Sequence, residues 1–161
     1  MFRKPLATLS LIAAVSLSHA AMASDDDHHG EDHHSPFEGM HLLLLMQNMQ
    51  YYVHKLGLAV DANNPTLEDF YAHEMEEVID AVSEIADYEG IPIAENLKKT
   101  LMPAFEQLED AIDKGEREPI DTAYNEVITG CNSCHAASEH GYIHIRRNHT
   151  NPYPQDFSPH D

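Results

Sequence analysis

Cys131-Asn132-Ser133-Cys134-His135 sets two thiols three positions apart and follows them at once with an imidazole. That C-x-x-C-H spacing is the pattern of a c-type haem attachment site. Each sulfur can add to one vinyl group of the porphyrin, and the adjacent histidine can turn onto the iron from one face. Three rival chemistries use the same residue types. A thioredoxin-like redox pair belongs in a βαβ setting, and no βαβ pattern surrounds this one. A structural zinc site needs two further ligands at zinc spacing, and these are the only two cysteines of the chain. A plain disulfide across two residues is strained and leaves His135 without a task. Covalent haem, one per chain, is the leading expectation.

The elements that must carry such a site can be read along the chain. Arg3 and Lys4, an apolar run from Leu6 to Leu17 and the small-x-small triplet Ala21-Met22-Ala23 read as a secretory signal peptide over 1–23. Residues 24–35 (SDDDHHGEDHHS) hold four histidines among aspartates and read as a disordered leader. Its imidazoles suit loose binding of zinc, copper or nickel, but no spacing fixes a geometry. Ser35 as N-cap, Pro36 and Glu38 then signal a helix start. The seam Leu42, Met46, Met49, Val53, Leu56, Val60 steps by 4, 3, 4, 3, 4, the period of a bundle-packing helix. Asn63-Asn64-Pro65 breaks it.

A second helix is expected from Thr66 to about Tyr88, with Leu67, Phe70, Tyr71, Met75, Val78, Ile79, Val82 and Ile85 apolar, closed by Gly90-Ile91-Pro92. A third is expected over 94–114, with Leu97, Leu101, Phe105, Leu108 and Ile112 inward and Pro103 kinking or dividing it. A fourth, from near Glu118-Pro119, carries Ile120, Tyr124, Val127, Ile128 and Cys131 and puts the motif on its buried face. Four such stripes predict an all-α fold, an antiparallel four-helix bundle over 36–140 with covalently attached haem. In the tail, 141–161, Tyr142 to Ile145 is briefly β-like and Asn151-Pro152-Tyr153-Pro154 cannot be helical. An extended segment lying back over the haem edge or the bundle end is expected.

One C-x-x-C-H on the last helix of a four-helix bundle resembles the cytochrome c′ family and its low-spin relatives. The stretches Met49 to Leu56, Leu67 to Glu77 and Tyr124 to His140, with the Pro-rich Asn151 to Phe157, are similar to c-type cytochromes related to that family. The resemblance implies that Cys131 and Cys134 carry the haem and that His135 is the proximal iron ligand. It also implies a distal residue from the first helix, about three turns in, and dimerisation through the first two helices. One departure is the 26 residues that follow His135, where the family's motif lies close to the chain end.

The sixth iron position decides between functions. A strong second protein ligand suits electron transfer, whereas an open apolar face suits nitric oxide or carbon monoxide. Met46 and Met49 lie at the implied level of the first helix, and methionine ligation is expected, Met46 ahead of Met49; both also serve as ordinary core gap fillers. His54, one position off the seam, is the rival, with Met40 and His41 available if the helix starts late. It lies eight residues beyond Met46, ~12 Å along a helix at ~1.5 Å per residue, so the two are not interchangeable. His73 sits on the polar face, and His140, His144 and His149 flank the motif in sequence. Arg146 and Arg147 are adjacent arginines in an acidic chain, and a guanidinium fork at Arg146 suits a propionate.

The formal charge is −19, or −21 without residues 1–23, which hold two positive and no negative side chains. Such acidity argues against nucleic acid and anionic membranes and favours basic partner patches. No later run is long and apolar enough to span a bilayer. The expectation is an exported, periplasmic monohaem cytochrome that carries single electrons to redox partner proteins, with a gas-binding protein as the alternative. No distal acid–base pair at defined spacing suggests an enzyme. The run Leu42 to Leu45 offers more apolar surface than one seam can bury, which leaves a homodimer open.

Overall fold

A computed structural model describes residues 36–160, with side chains from residue 41 onward. The expected signal peptide and His/Asp-rich leader, and the side chain of Met40, lie outside the described residues. Five helices follow in order: α1 (Pro36–Ala62), α2 (Pro65–Ser83), α3 (Ile93–Thr100), α4 (Met102–Lys114) and α5 (Arg117–Ala137). The class is all-α, with no strand among the described residues. Tyr142 to Ile145, expected to be briefly β-like, is not a strand.

The expected seam of α1 faces inward: Leu42 and Met46 are half-buried, and Met49, Val53, Leu56 and Val60 are buried. Asn63 ends α1 in the left-handed region, at φ 52°. Its N–H and that of Asn64 reach back to the carbonyls of Val60 and Ala59, satisfying groups that a helix end leaves free. Asn64 then caps α2 by accepting from Leu67 N–H at 3.2 Å, with Pro65 at the first helical position.

Two expectations need correction. Helix α2 ends at Ser83, about five residues early. There Tyr88 and Ile91 exchange backbone hydrogen bonds of 2.9 Å around Glu89 and Gly90, at φ 52° and 83°. Two successive positive φ values make a hairpin-type turn, which competes with one more helical turn. Phe70, expected on the apolar face of α2, is exposed.

The third expected helix is divided, the stronger of the two effects expected of Pro103. The break lies at Leu101, and Pro103 in the first turn of α4 has no N–H for the carbonyl four residues back. Leu101 stays in right-handed helical geometry, so α3 and α4 follow one another with little interruption. Helix α5 crosses this junction at Gly130, where a Cβ would lie 2.9 Å from the Thr100 carbonyl and 3.1 Å from the Leu101 Cα. That close approach sets Cys131, the next residue, against the core.

The strongest helix pairings are α1 with α2 and α4 with α5, while α1 and α5 meet sparingly. Their tie is Tyr124, buried on α5, whose hydroxyl donates to the Val53 carbonyl at 2.9 Å. Gly57 makes room for that ring: a Cβ there would stand 2.3 Å from the Tyr124 oxygen. Gly57→Ala must displace Tyr124 and its hydrogen bond, so a loss of about 2–3 kcal/mol is expected. Chemical denaturation checks this, and Tyr124→Leu, which empties the space, should make the two changes less than additive.

Residues 141–160, free of helix and strand, run back along α5 and α1. Asn132 holds Ile145, His54 meets Thr150 and Tyr153, Lys55 meets Gln155, and Asn64 donates to the carbonyls of Phe157 and Ser158. Phe157 is buried in the core. The Lys55 ammonium lies 4.6, 5.3 and 5.0 Å from the ring centroids of Tyr51, Tyr71 and Tyr153, within cation–π range. Arg147 adds a second clamp, bridging Asp61 of α1 at 2.6 Å and Asp121 of α5 at 2.7 Å over the Tyr124 ring.

Candidate functional site

Cys131, Cys134 and His135 fall at i, i+3 and i+4 in the last turns of α5, spacings that share one helix face. All three line one cleft of about 320 Å³, near the lower end of the ~300–1,000 Å³ of ordinary ligand pockets. Its walls are largely apolar: Leu42, Leu43, Met46, Met49 and Val53 from α1, Val82 from α2, Ile93 and Leu97 from α3, and Ile143 and Ile145 from the segment after α5. The divided third helix thus supplies a wall from its first half.

His135 Nδ1 stands 3.0 Å from the Ile143 carbonyl. A carbonyl only accepts, so Nδ1 carries a proton, and in the neutral ring the lone pair then lies on Nε2. That is the tautomer a metal-ligating histidine needs. Cys131 is buried, and burial, reinforced by the neighbouring Cys134 thiol, pushes its thiol pKa up to about 12. A redox-active C-x-x-C pair needs the opposite, a thiolate favoured by a helix N-terminus or a nearby cation. Here the pair lies at the C-terminal end of α5, so the redox-pair reading loses its physical basis. The two cysteines are not joined by a disulfide. Among the described residues no group of three or more His, Cys, Asp or Glu side chains converges on a point, so the four-ligand zinc reading gains no support.

No family model, curated protein or solved structure matches this chain. The site therefore stands on its own geometry.

Of the candidate distal residues, Met46 and Met49 both line the cleft, Met49 buried and Met46 half-buried. His54 does not line it. Its ring is engaged on both sides by the tail, Nδ1 with the Tyr153 hydroxyl at 3.1 Å and Nε2 with the Thr150 carbonyl at 3.0 Å. His41 and His73 are exposed, and His73 meets Glu76 at 3.5 Å. His140 lines the cleft, whereas His149 pairs with Asp61 at 2.6 Å.

Arg146 is exposed and lines a second, more polar cleft of about 430 Å³ with His144, Asn148 and Tyr51. The two clefts share Gln47, Gln50, Val53 and Ile145, so the apolar cleft lies beside the polar one. Sequence reasoning missed Tyr88, Ile93 and Ser138 as wall residues and the joint roles of Asn132 and Ile143. For Asn132 the only available signal was an amide inside the motif.

Proposed function

We propose that the chain is a monohaem c-type cytochrome that carries single electrons, with Cys131 and Cys134 holding the haem and His135 ligating its iron through Nε2. The observation that carries this reading is the convergence of both thiols and a histidine of ligating tautomer on one face of α5, in one apolar cleft. Haem would supply the one-electron iron couple, and the chain's residues bind, orient and dry it. The methionine, leucine, isoleucine and valine walls exclude water and disfavour the extra charge of ferric iron, which raises the potential. Met46, with Met49 behind it, would provide the sixth ligand from α1. The polar cleft beside the apolar one suits the propionates, with Arg146 as their cationic partner.

On this reading α3 and α4 act as one bent column, and with α1, α2 and α5 they make an antiparallel four-helix bundle around the haem, overlaid by an extended tail. The protein is exported to the periplasm, is not an enzyme, and meets redox partners whose basic patches complement its acidic surface. No helix among the described residues is long and apolar enough to cross a membrane. Leu44, 52% exposed on α1 and outside the cleft, offers apolar surface for a homodimer.

The gas-binding reading keeps one observation in its favour. Leu42, Leu43 and Val53 also line the α1 wall, so a site with neither methionine bound to iron would be open and apolar. Visible and electron paramagnetic resonance spectra of the exported protein, with and without carbon monoxide, separate the two. Low-spin iron that ignores carbon monoxide is expected, and Met46→Ala should convert it to a form that binds the gas. Ready binding by the wild type would move the function to gas binding. An unchanged spin state in Met46→Ala would pass the ligand role to Met49.

A further inference from the structure

Asn132 occupies the first variable position of C-x-x-C-H, where the motif makes no demand on residue type. Its carboxamide is engaged at both ends by one residue beyond α5: Nδ2 donates to the Ile145 carbonyl at 2.9 Å, and Oδ1 accepts from Ile145 N–H at 2.7 Å. One side chain therefore pairs both backbone groups of Ile145, as a neighbouring strand would. Two residues earlier in the same segment, the Ile143 carbonyl accepts the His135 Nδ1 proton at 3.0 Å. Ile143 N–H is in turn held by the His140 carbonyl at 2.8 Å. The accepting carbonyl is thus fixed from both directions, by a turn on its N-terminal side and by Asn132 on its C-terminal side.

We propose that Asn132 is a positioning residue for the axial histidine: by pinning Ile145 it keeps the Ile143 carbonyl on His135 Nδ1. The proposal rests on the haem reading above. The physical consequence follows from the chemistry of imidazole. A hydrogen bond from Nδ1–H pushes electron density toward Nε2 and makes it a more basic ligand, which favours ferric over ferrous iron. A carbonyl free to swing away weakens that push. The tail is then part of the electronic environment of the iron, although it supplies no ligand.

The test compares the wild-type holoprotein with Asn132→Ala, a change to the best helix former that removes only the carboxamide. The variant should keep its covalent haem and its helix content. Its ferrous/ferric balance should shift up to about tenfold toward ferrous, an upward move of ~59 mV for a one-electron couple. The His135 Nδ1 proton resonance of the reduced protein should move and exchange faster, and Asn132→Gln, which keeps the amide, should restore part of both shifts. In the wild type, Ile145 N–H should be protected from exchange, a readout that needs no variant. Wild type with covalent haem but an unprotected Ile145 amide, or Asn132→Ala with unchanged potential and unchanged Nδ1 resonance, overturns the inference while the cytochrome reading survives. Wild type with no covalent haem overturns both.

Discussion

Exported in a host able to mature c-type cytochromes, a Cys131→Ala/Cys134→Ala variant is expected to carry no haem that survives denaturation, while the wild type carries one per chain. The reason is the nature of the bond. A haem held by side-chain packing and one iron–histidine bond leaves when the fold is lost, and one held through sulfur does not. Cys131→Ala and Cys134→Ala singly should keep a weakened, one-bond attachment. His135→Ala should keep any attachment that forms but lose the axial histidine, with a changed spectrum. Haem staining after denaturing electrophoresis reads the attachment, and mass spectrometry reads the number of bonds. Staining of the double variant at wild-type intensity would end the assignment of both cysteines.

The second large effect concerns stability and lies far from the motif in sequence. Glu68 of α2 is buried, with 1% of its surface exposed, and its carboxylate meets Arg117 at the start of α5 at 2.5 Å. A buried charge stripped of its partner is costly, whereas the intact pair adds little beyond a well-packed apolar pair. Arg117→Ala should therefore destabilise the fold by about 3 kcal/mol, at the low end of the ~3–5 kcal/mol of buried pairs because Arg117 itself is partly exposed. Glu68→Gln/Arg117→Met, which removes both charges and keeps most of the volume, should recover much of that loss. Denaturant unfolding of the wild type, Glu68→Gln, Arg117→Met and the double variant gives the coupling directly. An Arg117→Ala midpoint equal to the wild type would show that Glu68 finds another partner.

The helices were legible because their signals are local. The heptad-like seam of α1, the Asn63-Asn64-Pro65 break and the inward series on α5 each fit in a few turns of chain, and the burial of Val53, Leu56, Val127 and Cys131 follows from period alone. The early end of α2 was less legible because the apolar pattern runs on to Ile85, past the point where the chain leaves the helix for the Tyr88–Ile91 turn. The site divides in the same way. Cys131, Cys134 and His135 announce themselves by spacing, and Met46 and Met49 by seam position. The tail contacts do not announce themselves: His54 is taken up by residues 96 and 99 positions away. No pattern in the neighbourhood of His54 encodes that pairing, so a plausible distal ligand turns out to be a fastener. Arg147, beside the more obvious Arg146, is a structural clamp for the same reason.

The segment after α5 also has a place in time. Its bonds to His54 and Lys55 of α1 and to Asn64, the cap of α2, close loops of 93 to 100 residues, whereas α1 with α2 and α4 with α5 close short ones. Long loops are closed late, because their entropy must be met before their contacts return anything. This topology favours pairing of the helices before Ile143 and Ile145 are laid along the cleft. On the haem reading proposed above, attachment would be easiest at that point, while the Cys131 and Cys134 side of the cleft is not yet lined by Ile143 and Ile145.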